Sequence, residues 1–183
     1  MNERRRTAEE RRIDVLEAAM QEFGSFGFHG GSTERIAAAA GISQPYVLRL
    51  FGSKLQLFIS TTDYVCDSIL RTWIGALEGS TATGWPALMI LGQHYGQSPD
   101  AAMRMRVVLQ ATVAAEIPEI EATANEQMDR MWSWVANATE ATHEEIQRFW
   151  AYGMMQTIGM AMNAPRHMNA SDRARAMVIL PDS

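Results

Sequence analysis

Ser32-Thr33-Glu34-Arg35-Ile36-Ala37-Ala38-Ala39-Ala40-Gly41-Ile42-Ser43-Gln44-Pro45-Tyr46-Val47-Leu48-Arg49-Leu50-Phe51 is the stretch that decides how this chain folds. Its spacing predicts two short helices, one from about Ser32 to Ala40 and one from Ser43 to Phe51. The alanine run favours the first helix. Gly41 ends it, because glycine takes the positive φ needed to leave a helix. Ser43 is a good N-cap, and Pro45 is tolerated in a first turn. Ile36 and Ile42 can pack between the helices, with Val47 and Phe51 behind them. The first turn of the second helix then points outward with free N–H groups, and a helix of this length fits the major groove of DNA. A helical hairpin inside an all-α core would satisfy the same spacing.

Working outward, residues 8–26 place Ile13, Leu16, Ala19, Met20, Phe23 and Phe26 on one helical face. Thr7 with Glu10 forms a capping-box pattern at its start. Gly27 is expected to stop this helix, leaving Phe28-His29-Gly30-Gly31 as a turn. On the other side, Gly52-Ser53 breaks the chain and Ser53 caps a long helix from Lys54 to about Glu78. Further helices are expected at 85–96, 100–115, 118–137, 142–163 and 171–179. Breaks fall at Ser98-Pro99, Ile117-Pro118, Asn137 to Thr142 and Ala164-Pro165, and Thr142 with Glu145 is a second capping box. No strand alternation is long enough to compete. The expectation is an all-α protein, with a three-helix helix-turn-helix domain over 1–53 and a helical-bundle domain over 54–183.

Composition narrows the classes. With 47% hydrophobic and 20% charged residues the 183-residue chain suits a globular protein rather than a disordered one. No run of 18 apolar residues occurs and the N-terminus has no apolar core of a signal peptide. A cytoplasmic protein is therefore expected. The single cysteine, Cys66, excludes an intrachain disulfide and a multi-cysteine zinc site, and reads as buried and structural rather than redox-active. There is no Gly-rich phosphate loop, no metal-ligand spacing and no nucleophile elbow, so no catalytic residue, metal or cofactor is expected. The net charge of −5 is uneven: residues 1–60 carry eight Lys or Arg against seven Asp or Glu, and residues 61–183 carry eight against fourteen. A nucleic-acid binder of this charge must gather its cations locally.

Residues 9–58 resemble the DNA-binding domain of the TetR family of bacterial repressors. The pieces that carry the resemblance are Phe23-Gly24-Ser25-Phe26-Gly27-Phe28, the run from Ile36 to Ser43, Gln44 to Phe51, and Gly52-Ser53-Lys54-Leu55-Gln56-Leu57-Phe58. The resemblance implies an all-helical homodimer whose first three helices bind operator DNA and whose C-terminal domain binds a small inducer. It implies base contacts from Gln44, Pro45 and Tyr46, and phosphate contacts from Ser32, Thr33 and Lys54. Gln44 can pair with adenine through two hydrogen bonds, and Arg49 can reach a guanine or a phosphate. Arg4, Arg5 and Arg6 form either a solvated tail or an arm in a narrow minor groove. Arg11 and Arg12 read as a solvated helix face. The chain departs from the family where Gly31 stands at a usual Thr, Leu48 at a usual Tyr, and Leu50 at a usual His or Tyr.

In the C-terminal half, five tryptophans and thirteen methionines in the chain exceed what a small core needs, and methionine lines adaptable pockets well. Tyr64, Trp73, Met89, His94, Met103, Gln110 and Trp132 are the candidate effector contacts. The acidic balance of this half leans towards a neutral or cationic effector. Residues 142–163 carry apolar and small groups on more than one face, as a dimer helix does, with 118–137 as the second interface helix. The function expected is a ligand-responsive repressor released from a palindromic operator by a small lipophilic effector. The rival is a helical ligand-binding or interaction module without operator-specific DNA binding.

Overall fold

The computed structural model describes residues 7–162. Arg4, Arg5, Arg6, the break at Ala164-Pro165 and the segment 171–179 lie outside the described residues. Among the described residues there are eight α-helices and no strand: α1 (Ala8–Gly30), α2 (Thr33–Ala39), α3 (Gln44–Phe51), α4 (Lys54–Leu77), α5 (Gly84–His94), α6 (Ala101–Val113), α7 (Pro118–Thr139) and α8 (His143–Ala161). The all-α expectation holds, and each described helix starts and stops within a few residues of its sequence signal.

The caps form for the reasons the residue types suggest. At the start of α1 the Thr7 hydroxyl accepts from the Glu10 N–H at 3.1 Å, and the Glu10 carboxylate accepts from the Thr7 N–H at 2.7 Å. Thr142 and Glu145 repeat the arrangement at α8. The end of α1 differs from expectation. Gly27 does break the helical backbone, with φ 70°, but Phe28-His29-Gly30 is a further helical turn rather than an open loop. The Gly31 N–H closes that turn on the Gly27 carbonyl at 3.0 Å.

The described residues group into two compact units. One takes the chain up to Asp67 together with Arg106–Gln127; the other takes Ser68–Met105 and the described residues from Met128 on. This division by packing does not fall at residue 53, because the first turns of α4, the end of α6 and the start of α7 supply the floor under the N-terminal helices. Phe23, Ile36, Val47, Leu57 and Phe58 are all completely buried there. The Phe23 and Phe28 rings meet Phe58 edge-on, at 5.0 and 5.3 Å between centroids. Ala111, Ala114 and Ile120 close the same core from α6, its C-terminal turn and α7. Each fully buried large apolar side chain contributes about 1.5–3 kcal/mol, which is what holds α2 and α3, two short helices that would not be stable alone.

The second unit is built around Trp73, which is 2% exposed. Its ring neighbours are Tyr95, Trp134, Phe149 and Trp150, all within 6.3 Å between centroids. Leu88 and Leu91 of α5 and Ile146 of α8 bury beside this cluster. Cys66, on α4 in the first unit, is buried, in line with a structural role.

Candidate nucleic-acid interface and ligand cavity

The turn between α2 and α3 follows the sequence logic closely. Gly41 has φ 66°, a conformation that a side-chain-bearing residue resists. Ile42 is half-buried while Val47 and Phe51 face inward, so α3 packs by its back and exposes its front. Ser43 takes extended backbone angles before α3 but makes no side-chain cap bond. The first turn of α3, carrying Gln44, Pro45 and Tyr46, is therefore available for recognition. Pro45 is exposed and Tyr46 is half-buried, its ring covered by the Arg49 guanidinium at 4.5 Å. Tyr46 and Arg49 form a stacked pair on the outer face of the helix.

Most of the predicted contact residues already hold internal partners. Gln44 donates its amide N–H groups to the Thr33 hydroxyl and to the Glu34 carboxylate, each at 3.1 Å. Thr33 is itself buried, so its hydroxyl serves the α2–α3 junction rather than standing free. Ser32 caps α2 by accepting from the Arg35 N–H at 3.3 Å, and its hydroxyl donates to Glu34 at 2.6 Å. That bond, helped by the charges of Arg35 and Lys54, holds the Glu34 carboxyl below its ordinary value. Lys54 donates to the His29 carbonyl at 3.1 Å and lies over the Phe28 ring. The His29 ring in turn meets Glu116 at 2.7 Å. A phosphate arriving at Lys54 would exchange a neutral carbonyl partner for an anion, which makes the stronger bond.

Four residues, Arg12, Glu22, Arg35 and Gly31, have structural roles that the sequence did not reveal. Arg12, read as a solvated helix face, is half-buried: it donates to the Leu50 carbonyl at 3.1 Å and stacks over Phe51 at 4.2 Å. It fixes the end of α3 to α1. Arg35 and Glu22 form a clasp, with Arg35 Nε donating to Glu22 at 2.8 Å and another guanidinium N–H to the Gly30 carbonyl at 2.8 Å. Glu22 is 8% exposed. A carboxylate beside Phe23 on the apolar face of α1 was the available signal, since a buried charge demands a partner. Gly31 is required by packing. A Cβ there would lie 2.6 Å from the Phe23 ring and 2.9 Å from the Gly27 carbonyl oxygen.

In the second unit a small cavity is lined by Ile69, Thr72, Trp73, His94, Tyr95, Gly96, Ser98, Ala101, Arg104 and Met105. Its free volume is about 20 Å³, room for a water-sized group and far below the hundreds of Å³ of a typical ligand pocket. Of the seven candidate effector contacts, Trp73 and His94 line it. Tyr64 and Gln110 belong to the first unit, where the Tyr64 hydroxyl lies 3.4 Å from Glu17 and Gln110 packs against Gly27. Met89 and Met103 are half-buried on α5 and α6 but are not in the lining. Trp132 stacks on Trp150, with centroids 6.0 Å apart. Arg104 and Tyr95 are lining residues that the sequence reading left out of the site; the arginine set between Met103 and Met105 was the missed signal.

The surface of α8 carries Met154, Ile158 and Met162 in one stripe, with Met155 beside it, all exposed. The exposed face of α7 is mostly polar and carries one large apolar side chain, Met128. No helix of the described residues is long and apolar enough to cross a membrane.

Residues 15–61 match the profile of the bacterial regulatory proteins of the tetR family. That match covers 47 of the 183 residues, the segment that holds α2 and α3 with the adjoining parts of α1 and α4. Over 81 residues it is 39% identical to the HTH-type transcriptional regulatory protein RaaS of Mycobacterium tuberculosis, covering 44% of this chain and 38% of that protein. Over 75 residues it is 37% identical to the HTH-type transcriptional regulator RutR of Escherichia coli K12, covering 41% of this chain and 34% of that one. The match thus spans little more than a third of either relative. A crystal structure of a transcriptional regulator from Saccharomonospora viridis in complex with choline superposes with a TM-score of 0.75, covering 93% of this chain and 94% of that one. Its sequence identity of 18% makes that a likeness of fold alone.

Proposed function

We propose that this chain is a homodimeric, DNA-binding transcriptional regulator, a repressor that leaves a palindromic operator when a small lipophilic effector enters its second unit. Residues 1–53 make the DNA contacts and residues 54–183 supply effector binding and dimerisation. The observation that carries the reading is the first turn of α3. It is backed by a buried Val47 and Phe51, lacks a side-chain cap, and offers Gln44, Pro45, Tyr46 and Arg49 from one end of a groove-sized helix. Gln44 and Tyr46 read bases, while Ser32 and Lys54 hold phosphate. The apolar stripe of α8 supports a two-fold interface centred on that helix, with α7 contributing around Met128.

The choline held by the Saccharomonospora viridis protein suggests a comparison with the aromatic cluster around Trp73, since rings attract quaternary ammonium groups. Arg104 lines the same cavity and opposes a cation there. The test of the main reading is binding of Tyr46→Ala to its operator and to scrambled DNA. A base-reading tyrosine costs about 1–3 kcal/mol per half-site on the operator and little on scrambled DNA. Equal loss on both, with a lowered melting temperature, would mean that Tyr46 only props the helix and that α3 is not the reading element.

A further inference from the structure

Two of the residues lining the second-unit cavity carry buried hydrogen-bond donors that find no partner among the described residues: the indole Nε1 of Trp73 and the Nε of Arg104. Buried polar groups in folded proteins are nearly always paired, because an unmet donor costs about 1–3 kcal/mol. A third such donor, Trp150 Nε1, belongs to a residue outside the lining, whereas Trp73 and Arg104 both line the one small cavity, which points to an acceptor that belongs there. The guanidinium of Arg104 makes no ion pair with any described carboxylate; Asp100, one turn earlier, only accepts the Arg104 backbone N–H at its carbonyl. His94 directs Nδ1 to the Ile90 carbonyl at 2.9 Å, so that nitrogen carries the hydrogen and the ring faces its surroundings through Nε2. Tyr95 and Thr72 have spent their hydroxyls elsewhere. Tyr95 donates to Thr157, whose own hydrogen goes to the Gly153 carbonyl, and Thr72 donates to the Ser68 carbonyl. The donors left over are thus one neutral N–H, one cationic N–H and the Ser98 hydroxyl, which accepts from the Asp100 N–H and keeps its own hydrogen.

From this we infer that the cavity takes the carboxylate head of an otherwise apolar small molecule, an inference that rests on the effector reading above and names the chemistry of its ligand. A carboxylate presents two oxygens, one for each N–H donor, and balances the unpaired charge of Arg104. A phosphate would crowd further oxygens into a space of about 20 Å³. An ammonium head could use His94 Nε2 or the Ser98 oxygen as acceptor, but it would be set against the like charge of the Arg104 guanidinium. This inference departs from the lean towards a neutral or cationic effector drawn from overall charge, because the local cation outweighs distant surface carboxylates. The apolar body of the ligand has a route to room. Ile69, Ala101 and Met105 form apolar walls, and Met160 packs against Gly96 at the rim. Methionine side chains re-pack at low cost, so a space that holds a head group can widen for a chain.

The test uses four probes with the same eight-carbon chain, octanoate, octyl phosphate, 1-octanol and octylamine, titrated into the full-length protein and followed by tryptophan fluorescence and calorimetry. Octanoate should bind about ten-fold or more tighter than 1-octanol, the factor expected of a charged hydrogen-bonded pair, and octylamine should not bind measurably. Arg104→Met should bring octanoate down to the level of 1-octanol, Arg104→Lys should restore part of the difference, and Trp73→Phe should weaken octanoate while leaving 1-octanol unchanged. Melting curves of the variants separate lost binding from lost folding. Equal binding of octanoate and 1-octanol, tighter binding of octyl phosphate or octylamine, or an Arg104→Met protein that keeps the octanoate preference would overturn the carboxylate assignment while leaving an effector site in place. Failure of all four probes to bind would overturn this inference, while the effector reading itself falls only if no small molecule releases the protein from its DNA.

Discussion

Restoring threonine at residue 31 should destabilise this protein. Gly31 has φ −68° and ψ 145°, angles that any residue adopts, so backbone strain is not the reason. The reason is space. The added Cβ would sit 2.6 and 2.7 Å from two ring carbons of Phe23 and 2.9 Å from the Gly27 carbonyl oxygen. Phe23 has no exposed surface and is wedged edge-on against Phe58, so its ring cannot retreat without disturbing the core. Overpacking of this kind costs about 1–3 kcal/mol. For a chain of this length each kcal/mol lowers the melting temperature by about 2–4 °C, giving a loss of roughly 2–12 °C. Gly31→Ala should lose nearly as much, because the clash belongs to the Cβ and not to the hydroxyl. Thermal unfolding followed by circular dichroism measures both variants. Unchanged or raised melting temperatures would mean that the α1–α2 junction is looser than its packing implies, and the physical account of this departure from the family pattern would be wrong.

Other outcomes follow from the same geometry. Lys54→Ala should weaken binding to all DNA sequences alike and reduce the slope of log affinity against log salt by about one per subunit; anisotropy titrations at several salt concentrations measure it. Thr142→Ala should cost about 1 kcal/mol by removing the α8 cap, read from denaturant unfolding. The Glu145 carboxyl is held below its ordinary value chiefly by the Thr142 N–H, with the Thr142 hydroxyl and the Trp85 N–H adding to it. Its contribution is therefore fully present above the unfolded carboxylate value and is lost as pH falls through the lower folded value. Unfolding curves between neutral and acid pH should show that loss in the parent and not in Glu145→Gln. Ile158→Asp places a charge in the exposed stripe of α8 and should yield a helical monomer that no longer holds its operator, seen by sedimentation and gel shift.

The helix-turn-helix was legible in the sequence because its joints are set by particular residue types: Gly41 for the positive φ, Pro45 in the first turn of α3, Thr7 with Glu10 for α1. What stayed hidden depends on residues far apart in sequence. Glu22 and Arg35 carry no local pattern, and Arg12 looks like any charged surface residue until Leu50 and Phe51 are brought against it. The cavity was harder still. Trp73 and His94 could be named from residue type, but Tyr64 and Gln110 could not be separated from them, since only packing assigns those two to the other compact unit. Arg104 was overlooked because net charge averages over a whole surface, whereas the cavity is lined by one guanidinium.

The central claim is that α3 reads bases in a two-fold symmetric site. Selection of bound sequences from a random DNA library by the full-length protein tests it most directly. Two inverted half-sites about one helical turn apart or somewhat more should be enriched, and the enriched site should lose its advantage over scrambled DNA when Gln44 and Tyr46 are both changed to Ala. Enrichment of no sequence, or of a single unrepeated half-site bound by a monomer, would contradict it.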